Sequence, residues 1–168
     1  MDLEAMMDEE KDAVRGKRVL IVDDEPDILD SLEETLNDCI LDKASTYDTA
    51  RRLLDENMYD AAILDIMGVQ GYDLLDLANE KNLPTLMLTA HALSPDDLVY
   101  SLKKGAHAYV PKDEITKIRT FLQDVLEESS EKRGLGRWFA RLEPFFEKKF
   151  GTYWKEKSDP DFWRKYGR

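Results

Sequence analysis

Between Lys17 and Glu128, short apolar runs take turns with stretches whose apolar residues recur every three or four positions. The runs are RVLIVD, CILDKA, DAAILD, TLMLTA and HAYVP. Their length and branched content predict strands. The first, third and fourth lack period-2 alternation, as expected of strands covered on both faces in a parallel sheet. Between them, Pro26 can open a helix in which Ile28, Leu29, Leu32 and Leu36 share one face. STYDTARRLLDEN predicts a second helix, with Ser45 or Thr46 as N-cap. YDLLDLANEKN predicts a third. SPDDLVYSLKKG predicts a fourth, capped by Ser94, with Pro95 in its first turn and Gly105 at its end. Ile115, Ile118, Leu122 and Val125 mark a fifth, from about Asp113 to Glu127. Five β-α repeats with short connections predict an α/β fold, a doubly wound five-stranded parallel sheet.

Composition divides what periodicity joins. The 168 residues carry 24 Lys plus Arg against 36 Asp plus Glu, and a net charge of −12 disfavours nucleic-acid binding by the whole molecule. Residues 129–168, however, hold 11 basic and 6 acidic residues, a net of +5, which leaves −17 on residues 1–128. All three tryptophans (Trp138, Trp154, Trp163) also lie there. The chain is therefore read as an acidic N-terminal arm (1–16, frayed or a short helix), an α/β domain (17–128) and a basic aromatic tail (129–168).

In the tail, Trp138, Leu142, Phe145, Phe146, Phe150, Tyr153 and Trp154 recur at helical spacing, so one face is apolar. Pro144 and Gly151 predict two or three short helices rather than one rod, and SDPDFWRKY predicts a further capped turn. Docking on the acidic body or on a second copy suits the tail's charge. Binding a partner as an output segment suits its aromatic density. Membrane-surface or single-strand nucleic-acid binding is the least favoured use. Cys39 stands alone, which excludes an internal disulfide and suits a reducing compartment. No apolar run approaches the roughly 18 residues of a membrane span, and the acidic start does not resemble a signal peptide. The expectation is a soluble cytoplasmic protein.

In open parallel sheets, sites form beyond the carboxyl ends of the strands where strand order reverses. Asp23 and Asp24 follow the first predicted strand, Asp65 the third, Thr89 ends the fourth and Lys112 follows the fifth. All should share one rim. Carboxylates gathered in a partly dry cleft must protonate or acquire a cation, and hard oxygen ligands with open water positions suit Mg²⁺. Lys112 adds an ammonium and Thr89 a hydroxyl, with small Ala90 leaving room for a bulky anion. Such a site can stabilise a phosphoryl group, with Asp65 as the nucleophile.

The motifs VLIVDDEP, AAILDIM, LMLTA and AYVPK together resemble those of response-regulator receiver domains of two-component signalling, over about Lys17 to Glu128. The resemblance implies a flavodoxin-like strand order, 2-1-3-4-5. It implies Asp65 as phosphoacceptor and Mg²⁺ held by Asp24, Asp65 and the Met67 backbone carbonyl, with Asp23 acting directly or through water. Thr89 and Lys112 would contact phosphoryl oxygens. As they are drawn in, space opens for the Tyr109 ring to turn, which remodels the face of the fourth helix, fifth strand and fifth helix. The implied partner is a histidine kinase or phosphotransfer protein, with a homodimer through that face or the tail left open. The implied role is a switch rather than an enzyme, with at most slow self-dephosphorylation.

Two features depart from the family pattern. Gly71 follows Asp65 by six residues with no proline between them, so the loop is short. Pro111 precedes Lys112 where the family commonly has a proline after the lysine. Met67 and His91, each two past a key residue, are the positions expected to tune phosphoryl lifetime, and His91 is otherwise read as an exposed loop residue. A phosphorylation-independent scaffold and a Mg²⁺-dependent aspartate-nucleophile phosphatase are the rival readings. The second would want a cap over its substrate, and no cap insertion is visible.

Overall fold

The computed structural model describes residues 12–90, 93–128 and 135–166. Most of the acidic arm, His91 and the expected boundary at 129–134 lie outside them. The arm's last residues belong to the packed body, because Val14 is buried and Asp12 pairs with Arg119 at 2.6 Å.

Five strands, β1 (Arg18–Val22), β2 (Ile40–Ala44), β3 (Ala61–Asp65), β4 (Thr85–Thr89) and β5 (Ala108–Pro111), form one parallel sheet in the order β2-β1-β3-β4-β5. Both faces of β3 and β4 are buried throughout, which is why their sequences show no alternation. The connecting helices are α1 (Pro26–Thr35), α2 (Tyr47–Glu56), α3 (Gly71–Glu80), α4 (Pro95–Lys103) and α5 (Ile118–Glu128). On one side of the sheet α1 meets α5, and on the other α2 meets α3.

Side-chain caps start two of these helices as the sequence indicates. Thr46 accepts the Thr49 N–H at 3.2 Å, and Ser94 accepts the Asp97 N–H at 3.0 Å. The fifth helix differs. Lys112–Lys117 form a 3₁₀ turn in which Glu114 is non-helical (φ −105°, ψ 16°), so regular helix begins only at Ile118. The Lys112 side chain is pinned in the site before the chain can wind into an α-helix.

Three further helices, α6 (Arg137–Phe150), α7 (Trp154–Ser158) and α8 (Pro160–Tyr166), make up the tail. The expected break at Pro144 does not occur: α6 runs through it and stops at Gly151 (φ +91°). Trp138, Leu142 and Phe146, all buried on one face, hold the helix together across the missing N–H. Within the tail, Lys155 Nζ lies 5.2, 5.8 and 5.4 Å from the ring centres of Phe139, Trp154 and Trp163, and pairs with Glu143 at 2.7 Å. The tail also closes the sheet. Although β5 is an edge strand, all four of its residues are buried, with α6 packed against it.

Candidate functional site

Parallel registry delivers the side chains to one rim. Val22 lies beside Leu64, Asp65 beside Leu88, and Thr89 beside Pro111. One residue further along β1 and β5 stand Asp23 and Lys112.

Asp23 is fully buried. Its Oδ1 accepts the Glu25 N–H at 2.9 Å, and its Oδ2 faces Lys112 Nζ at 2.9 Å as an ion pair without hydrogen-bond alignment. The same ammonium lies 3.2 Å from Asp65 Oδ1 and 3.7 Å from Glu25 Oε1. Burial pushes Asp65 up to about 6, the Asp23 charge adds to this, and Lys112 pulls the other way. Asp23 is raised as well, by burial against the Glu25 N–H and Lys112. At Lys112, burial works against the charge but Asp23 and Asp65 outweigh it, so the ammonium is held protonated.

One ammonium does not balance this many acids. Asp23, Asp24 and Glu25 present oxygens all within 4.8 Å of one another, and Asp24 and Glu25 open to solvent. Asp65 lies outside that tight trio and joins it through Lys112. Surplus negative charge, hard oxygen donors and a wet side fit a partly hydrated divalent cation such as Mg²⁺.

The short loop after β3 is shaped around these groups. Gly68 takes φ +86° and lies so close to Asp24 that a Cβ would strike its carboxylate, which sets the Met67–Gly68 peptide beside that acid. The Met67 side chain itself points outward and is exposed. At Gly71 a Cβ would collide with the Asp65 carbonyl, so only glycine lets α3 start so soon.

Thr89 is buried at the end of β4. Tyr109 is fully buried too. Its hydroxyl donates to Asp97 Oδ2 at 3.0 Å, and Asp97 also accepts from Tyr72, whose oxygen lies 2.8 Å from Ser101 Oγ. Burial raises Asp97, against the pull of the two tyrosine donors. Tyr109 is raised by burial and then by Asp97. The Ser94 backbone and the Thr89 hydroxyl oppose this, which places Thr89 near the phenol.

The structure thus brings together Asp23, Asp24, Asp65, Thr89 and Lys112, with Tyr109 behind Thr89. Glu25 and Asp97 join the site without having been expected there, and Phe146, expected only on the tail's apolar face, meets Tyr109. Glu25 stood in the quoted motif and was visible there. Asp97 looked like an ordinary first-turn acid, its one signal being a second acid beside Asp96. The ring of Phe146 lies 6.3 Å from that of Tyr109, and nothing local to either residue signals this contact.

Comparison with known proteins identifies the family. The family profile described as the response regulator receiver domain matches residues 19–123. The chain is similar to the two-component response regulator ARR18 of Arabidopsis thaliana, with 35% identity over 103 residues, covering 58% of this chain and 16% of that protein. It is also similar to the response regulator protein PilR of Pseudomonas aeruginosa, with 35% identity over 102 residues, covering 57% and 23%. The chain therefore spans a quarter or less of the length of these relatives. Among solved structures, a CheY-like receiver domain protein from Methanospirillum hungatei is 28% identical with a TM-score of 0.62, covering 69% of this chain and 98% of that one.

Proposed function

Because the chain belongs to the response regulator receiver domain family, we propose that it is a signalling switch phosphorylated on Asp65, with Mg²⁺, by a histidine kinase or phosphotransfer protein. The observation that carries this reading is Lys112 Nζ lodged 2.9 Å from Asp23 and 3.2 Å from Asp65 at the carboxyl ends of parallel strands. An Asp65 oxygen attacks the donor's phosphorus. The new O–P bond forms as the P–N bond breaks, and its electron pair leaves with the donor imidazole. Asp24, Asp65 and the Met67 carbonyl, with Asp23 directly or through water, would hold Mg²⁺, which would supply positive charge to the phosphoryl oxygens. Lys112 stays protonated and turns from Asp23 toward those oxygens, and the Thr89 hydroxyl donates to another. The chain acts as a switch, with turnover limited to its own slow dephosphorylation.

The same reading keeps the protein in the cytoplasm, where Cys39 remains reduced. No described helix is long and apolar enough to cross a membrane. A homodimer through the α4–β5–α5 face requires the tail to leave it, since α6 and α7 pack there.

The test is incubation of the full chain with acetyl phosphate and Mg²⁺, followed by intact mass. A phosphoryl adduct is expected on the wild type. Its survival in Asp65→Asn, or its indifference to chelation of the metal, would overturn the reading.

A further inference from the structure

The contact between the tail and Tyr109 links the two parts of the molecule. Phe146, itself without exposed surface, packs over the ring of Tyr109, and Phe150 stacks behind it at 5.5 Å with the planes 5° apart. Charged pairs bracket this aromatic contact on both sides. On α5, Asp124 is buried and receives Arg141 through Nε at 2.7 Å and Nη2 at 3.2 Å. Among the described residues its ion-pair partners are both tail arginines, Arg141 and Arg137. On α4, Lys103 pairs with Asp159 at 2.7 Å. The tail is therefore fastened to both helices flanking β5, with Phe146 pressed on the tyrosine between them.

This arrangement restricts Tyr109 to one side. Swinging outward from β5 would drive its ring into Phe146, at a cost set by the close packing of the cluster. Turned inward, its hydroxyl rests on Asp97 near Thr89. We propose that the tail is a wedge that keeps Tyr109 inward, with Phe146 as a positioning residue, so that tail docking and occupancy of the Asp65 phosphoryl site favour each other. The proposal rests on the phosphoacceptor reading and adds a direction to it. Linkage makes the effect reciprocal: whatever the docked tail does for phosphoryl binding, phosphoryl binding does for docking. Residues 124 to 168 lie beyond the family match, so this wedge belongs to the chain's own extension.

All three tryptophans sit in the tail and are buried, so intrinsic tryptophan emission reports on the packing of the tail. The probe is beryllofluoride with Mg²⁺, added to the full chain, with its binding measured separately by fluorine NMR. Wild type should bind it and keep a blue emission. Phe146→Ala should emit further to the red, bind beryllofluoride about fivefold to tenfold more weakly, and shift back toward the blue on saturation. Phe146→Leu should restore both properties. If circular dichroism shows Phe146→Ala to be misfolded, Arg141→Gln combined with Asp159→Asn loosens the tail while leaving every ring in place, and the same outcome is expected. A red-shifted variant that binds beryllofluoride as tightly as wild type, or more tightly, overturns the wedge. So does an emission that neither variant changes. Absence of binding by the wild type instead overturns the phosphoacceptor reading, and the wedge falls with it.

Discussion

Asp65 and Asp23 are buried beside one another, and the fold carries that strain until a proton or cation relieves it. The Asp65 carboxyl is raised from 3.8 to about 6, so its ionised form is less favourable in the folded protein than in the unfolded one. Below the unfolded value both states are protonated and nothing is lost. The penalty grows as pH rises toward 6 and is complete above it. Asp65→Asn should therefore stabilise the metal-free protein by roughly 1–3 kcal/mol near neutral pH. The gain should fade as pH drops from 6 toward 4, as read from urea midpoints across that range. A gain that persists unchanged in acid, or a loss at neutral pH, would refute the assignment of the strain to Asp65. At this scale the sequence was informative where a residue ends a strand. Asp23, Asp65, Thr89 and Lys112 could be placed on one rim because strand ends fix direction. Asp97 could not, since the facing of a first-turn acid depends on how its helix lies on the sheet.

At the scale of elements, periodicity located each strand and most helices, while two boundaries followed tertiary demands. The fifth helix starts late because Lys112 is committed to the site. α6 continues through Pro144 because its buried face outweighs one missing hydrogen bond. Propensity at a single residue does not contain that packing. Pro144 is exposed, so it contributes little to the core in return for the lost bond. Pro144→Ala should restore a bond from its N–H to the Ala140 carbonyl and stabilise the tail by about 1–3 kcal/mol. A thermal transition followed by tryptophan emission should then move up. A lower midpoint would mean that the proline ring is itself part of the packing.

For the molecule as a whole, the charge split of +5 on the tail against −17 on the rest could be read directly, and it anticipated attraction between them. It could not say where the tail lands, because that depends on a convergence of distant residues. Asp124 on α5, Lys103 on α4 and Tyr109 on β5 become one surface only after the sheet has folded. Nor do the resulting ion pairs count equally. Arg137 reaches Glu127 at 2.5 Å and Glu128 at 2.6 Å, but these acids are about a third exposed and water can replace the arginine. Arg141 instead satisfies a carboxylate that is 3% exposed. Removing it leaves a buried charge with fewer donors, which is the costly way to break such a pair. Arg141→Ala should thus lower the stability of tail docking by roughly 1–3 kcal/mol, and Arg137→Ala by clearly less. Pairing Arg141→Ala with Asp124→Asn should recover part of the loss, because the charge left behind is then gone. Urea titrations of the four proteins, followed by tryptophan emission, give the comparison. Equal effects of the two arginines would refute the ranking of these pairs by burial, and no recovery in the double variant would refute the uncompensated Asp124 charge as the source of the loss.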